Sequence, residues 1–140
     1  MKAPLYNKVH QLSLDIVNAS EDLKLEWEKY NNLKLFCEKN EKSKNNHPLQ
    51  WEALADFTTD NNQSLLIYKK ALELANELSL NDYSVSIYFA MAERHFSSGN
   101  VEQAFNLAYQ ANELAKSINN LELKQEISEF LLTISKTPNK

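Results

Sequence analysis

"KKALELANEL", from Lys69 to Leu78, decides the fold, because forty residues later the chain repeats it as "YQANELAKSI", Tyr109 to Ile118. Ala71/Ala111, Glu73/Glu113, Leu74/Leu114 and Ala75/Ala115 recur in register. The interval also holds on either side, at Ser64/Ala104, Leu65/Phe105, Ile67/Leu107, Leu78/Ile118, Tyr83/Leu123, Ile87/Ile127 and Met91/Leu131. Alanine alone says little, since it is the best helix former. Recurrence at a fixed interval says more: a period of about 20–50 residues marks an array of similar units. Small residues in register let one helix of a hairpin lie close against the other, with larger neighbours filling the flanks.

Working outward, apolar residues at the 3.6-residue period predict seven helices, spanning about 3–18, 21–43, 48–58, 62–80, 83–97, 101–118 and 121–136. Leu5, Val9, Leu12 and Ile16 form the stripe of the first. Leu23, Trp27, Tyr30, Leu33 and Cys37 form that of the second, flanked by Leu25 and Phe36. Expected caps are Ser20 for the second helix, Asp60 or Asn61 for the fourth, and Asn81 or Asp82 for the fifth. Pro48 suits the first turn of the third. Ser98-Gly99-Asn100 reads as a tight turn, with the chain's one glycine where a helix end needs a positive φ. The final "TPNK" reads as a loose tail. Short connections make successive helices antiparallel.

Composition agrees with this all-α reading. The 140 residues include one Gly and three Pro, too few breakers for the turns of a β fold. At this length the whole of 1–140 is expected to form a single domain. Net charge is −4 but uneven: residues 1–50 carry eight Lys against seven acids, whereas residues 51–100 carry three basic residues against seven acids. No basic stripe suited to nucleic acid appears. No apolar run is long enough for a membrane span, and the first residues lack the core of a signal peptide. With one cysteine, Cys37, and no internal disulfide available, a cytoplasmic location is expected.

Several residues match a known pattern. Tyr88-x2-Met91-Ala92-x2-His95 is followed by Gly99-Asn100 and then Ala104-x3-Ala108-x2-Ala111. The preceding unit reads Trp51-x2-Leu54-Ala55-x2-Thr58, then Ser64-x3-Tyr68-x2-Ala71, with a path between its helices three residues shorter, so its first helix loses a turn. Over about residues 48–136 the chain resembles the tetratricopeptide repeat family, in the longer-helix variant of kinesin light chains and bacterial peptide-sensing regulators. Its unit of forty residues departs from the usual 34, and the closing Pro is missing from both repeats. The resemblance implies a right-handed superhelical stack of helix hairpins. Residues 48–80 would form one repeat and 83–118 a second, 121–136 a capping helix, and 1–45 an atypical repeat or N-terminal cap.

It also implies a protein-interaction module. In the family the first helix of each repeat lines a concave groove that meets a peptide. Carried over, that wall is Leu49, Glu52 and Asp56, then Ser86, Phe89, Glu93 and Phe96, then Glu126, Glu129 and Thr133. Five acids and two Phe favour a basic, partly apolar partner segment, with Phe89 and Phe96 as anchors, and disfavour the C-terminal carboxylate held by chaperone-binding members. The alternatives are a dedicated stoichiometric chaperone or immunity-type inhibitor of one protein, and a homodimer formed through the terminal helix.

No catalysis, cofactor or metal is expected. His95 takes the place of a packing Tyr and reads as a half-buried structural residue, while His10 and His47 lie on surface-like stretches without a second ligand. There is no phosphate-binding glycine loop and no activated nucleophile. Trp27 and Trp51 read as core aromatics.

Overall fold

The helices begin where the local chemistry directs. A computed structural model describes residues 2–136; the tail Thr137–Lys140 lies outside them. Among the described residues there are seven α-helices and no strand: α1 Tyr6–Asn18, α2 Leu23–Asn40, α3 Pro48–Asp56, α4 Asn61–Glu77, α5 Asn81–Ser97, α6 Val101–Ala115 and α7 Leu121–Ser135. The expected all-α class is therefore observed. From α4 onward the helices start at 61, 81, 101 and 121, so the forty-residue interval of the sequence is also that of the helix starts.

Asp22 caps α2, one carboxylate oxygen accepting the amides of Lys24 and Leu25 at 3.1 Å each. Ser20, the expected cap, lies too early for a helix that begins at Leu23. Pro48 occupies the first turn of α3, and His47 caps it through Nδ1, which accepts the Leu49 amide at 3.0 Å. Asp60 caps α4, accepting from Gln63 N at 2.9 Å. Neither Asn81 nor Asp82 caps α5, which starts from Leu80 without a side-chain cap.

That start follows a Schellman turn at the end of α4. Leu80 N reaches back to Ala75 O at 2.9 Å, with Ser79 left-handed at φ 56°. The same turn closes α5: Asn100 N bonds His95 O at 2.8 Å and Gly99 N bonds Phe96 O at 3.1 Å, with Gly99 at φ 84°. The role expected of the only glycine is observed.

The chain forms two units, Met1–Ala71 and Leu72–Lys140, with the division inside α4. In the first, α1 packs on α2 and α3, and α2 packs on α3. Val9, Leu12 and Ile16 of α1 are buried, as are Leu33 and Cys37 of α2 and Trp51, Leu54 and Ala55 of α3. Ser64 of α4 donates to the buried carbonyl of Ala55 at 2.8 Å. A bulkier residue would break that close approach. Lys70 sits 4.1 Å above the Trp51 ring and pairs with Glu41, while Trp51 Nε1 donates to Asn46 Oδ1 at 2.7 Å. Trp51 is 4% exposed, the core aromatic that its spacing suggests.

In the second unit α6 packs against α5 and α7. Val85, Phe89, Ala111, Ala115, Ile118 and Ile127 form its core, ringed by Tyr88, Leu114, Leu123, Phe130 and Leu131. Every small residue of the repeat is buried: Ala71 and Ala75 in α4, and Ala104, Ala108, Ala111 and Ala115 in α6. His95 is half-buried, and exposed His10 stacks on Tyr6 at 5.9 Å.

Candidate functional site

The site begins with a mismatch of helix lengths. At 1.5 Å per residue, the eighteen residues of α2 span about 27 Å, whereas the nine of α3 span about 13 Å. Running back along α2, α3 ends beside the middle of its neighbour. There the Tyr30 hydroxyl lies 2.7 Å from Thr58 Oγ1, which itself donates to Leu54 O at 2.7 Å. Thr58 has one proton to give, so Tyr30 donates and Thr58 accepts. The first two turns of α2 stay open.

A groove of about 880 Å³ fills that space. Leu23, Glu26, Trp27, Tyr30 and Lys34 of α2 form one wall. The α3–α4 turn, from Asp56 through Asp60, forms the other, with buried Ile16 of α1 between them. Leu23 is 81% exposed and Trp27 67% exposed. These side chains leave the core because α3 is too short to cover them, so the stripe expected to be continuously buried along α2 is buried only from Leu33 onward. Trp27 is thus an open aromatic platform, not the core residue its spacing suggests.

The walls are acidic. Glu26, Asp56 and Asp60 stand against one cation, Lys34. Two of these carboxylates are held in place: Asp56 accepts the Tyr68 hydroxyl, and Asp60 is tied to its own cap bond. Fixed charges on fixed turns present a partner with a field that needs little reordering.

Of the residues expected to form a concave wall, Leu49, Glu52 and Asp56 lie on α3 in the first unit, and only Asp56 lines this groove. Leu49 and Glu52 are half-buried. Ser86, Phe89, Glu93 and Phe96 lie on α5 and Glu126, Glu129 and Thr133 on α7, all in the second unit. Glu93, Glu126, Glu129 and Thr133 are exposed and Ser86 is half-buried.

The anchor role expected of Phe89 does not fit its 7% exposure. Its ring fills space left by Ala111 and Ala115 and meets Phe130 edge to face, with centroids 5.4 Å apart. Phe96, half-buried, packs against the same Phe130 at 5.5 Å. Both phenylalanines serve the α5–α7 core.

No family model, curated protein or solved structure matches this chain. Among the described residues no group of three or more His, Cys, Asp or Glu is placed to hold a metal ion. Among these residues, too, no helix is long and apolar enough to cross a membrane. The one thiol, Cys37, is fully buried, donates to Gln50 O at 3.3 Å, and is pushed up to about 12 by burial, with the Glu38 carboxylate adding to the shift. His47 was expected on a surface-like stretch but is buried, and that burial lowers its pKa. Its place follows from capping α3, a role the pair His47-Pro48 signals in the sequence.

Proposed function

We propose that the chain is a non-catalytic protein-interaction module that binds a basic, partly apolar segment of a partner protein in the groove beside α2. The observation that carries this reading is the exposed pair Leu23 and Trp27, set opposite the carboxylates of Asp56 and Asp60. Large apolar side chains kept in solvent beside fixed charges are typical of interaction surfaces. The common helix spacing of forty residues and the recurring buried alanines support a tetratricopeptide-type architecture. The proposal extends to a cytoplasmic setting, which suits a chain whose one cysteine is buried.

Photocrosslinking tests the reading. A benzophenone amino acid at position 27, and another at exposed Glu73 as control, would be expressed in the native host. One saturable adduct specific to position 27 is expected. The partner, identified and purified, should then bind the Trp27→Ala protein about 30-fold more weakly, the scale of a hot-spot aromatic. Equal labelling from both positions, or equal affinity for both proteins, would sink the proposal.

A further inference from the structure

Leu23, Trp27, Tyr30 and Lys34 line the groove at positions i, i+4, i+7 and i+11 of one helix. Such spacing sets side chains in a single stripe, here about 16 Å long at 1.5 Å per residue. An occupant running beside this stripe faces knobs at helical intervals, which the grooves of another helix accept. An extended peptide that binds by strand addition draws much of its affinity from main-chain hydrogen bonds to a sheet edge. The described residues contain no strand, so that source is missing here.

Charge sets the occupant's second feature. Asp56 and Asp60 lie on the wall facing the stripe, and Glu26 lies on α2 itself. Resting on the binding role proposed above, we infer that the groove seats an amphipathic helix of a partner protein, about three turns long. Its apolar stripe lies along Leu23, Trp27 and Tyr30, and its flank facing the α3–α4 turn carries Lys or Arg.

Two displayed peptide libraries test this. One is locked into helices by i,i+4 staples; the other is kept extended by regularly placed prolines. Both are selected on the purified protein, and the winners are measured against Trp27→Ala and against a double Asp56→Asn, Asp60→Asn variant. The amides keep the hydrogen-bond acceptors for Tyr68 and for the α4 cap while removing two charges. Far-ultraviolet circular dichroism checks that each variant is folded.

The expected winners come from the stapled pool and carry Lys or Arg on one flank. They should lose at least about tenfold in affinity to Trp27→Ala and about threefold to the double variant, the latter loss fading at 1 M salt. Winners from the extended pool alone, if sensitive to Trp27, overturn the helix while leaving the binding role standing. Stapled winners with a neutral or acidic flank also overturn the inference. If neither pool yields a Trp27-dependent binder, the inference fails, and the crosslinking result decides separately whether the binding role fails with it.

Discussion

Ser79 and Gly99 occupy equivalent left-handed positions in two Schellman turns, but only one of them is a glycine. A side chain at φ 56° costs about 1 kcal/mol that glycine avoids. Ser79→Gly should therefore stabilise the protein by about 0.5–1 kcal/mol, read as a raised urea midpoint with an unchanged slope. Gly99→Ala should do the reverse by about 1 kcal/mol. A Cβ there meets nothing within 4 Å, so the cost is purely that of the backbone. The thiol of Cys37 illustrates the opposite extreme of environment. Buried and held protonated to about 12, it should react with iodoacetamide at neutral pH only as fast as the first unit opens. Prompt labelling of the native protein would contradict its placement.

At the scale of the helix, the repeat is a packing instruction. Ala111 is fully buried in the core that also holds Phe89 and Ile127. Ala111→Leu should cost about 1–3 kcal/mol by overpacking, whereas the same change at exposed Gln110 should stay within about 0.5 kcal/mol. Thermal melts of the two variants separate the cases. The seam was legible because small residues recur in register where nothing else in the sequence requires them. The helix ends were less so: α2 stops at Asn40, where the chain runs into polar residues, and α4 stops at Glu77, where the Schellman turn through Ser79 closes it, and pattern alone places neither end. The groove was the least legible. Trp27 lies on the same periodic stripe as Leu33, and periodicity does not reveal where the covering helix stops. The one available signal was the shortened path between Trp51 and Ser64. It predicts a truncated α3, and a truncated α3 leaves the start of α2 open. Phe89 failed in the opposite direction, because a face carried over from a resemblance does not account for the room that Ala111 and Ala115 leave for its ring.

For the whole molecule, His47 makes stability depend on pH on the acid side of neutrality. His47 Nδ1 accepts a hydrogen bond at the start of α3, and burial holds its pKa below 6.5. Between 6.5 and that lower value the unfolded chain takes up a proton that the folded chain refuses. The stabilisation is therefore complete above pH 6.5 and is lost as the pH falls through the folded value. The melting temperature should be level near neutrality and decline below about pH 6.5. His47→Asn, whose side-chain oxygen caps without titrating, should remove that part of the decline. The sequence pI of about 5.4 also lies on the acid side of neutrality, and lost net charge there should bring solubility to its minimum. The two tryptophans lend themselves to following such changes. Trp27 stands in solvent and Trp51 is enclosed beneath Lys70, so their emission should divide into a red-shifted, quencher-accessible component and a blue-shifted, protected one. Seating a partner on α2 should move the first and spare the second, while denaturation should expose the second. Binding and unfolding thus carry separate optical signatures within one unlabelled chain.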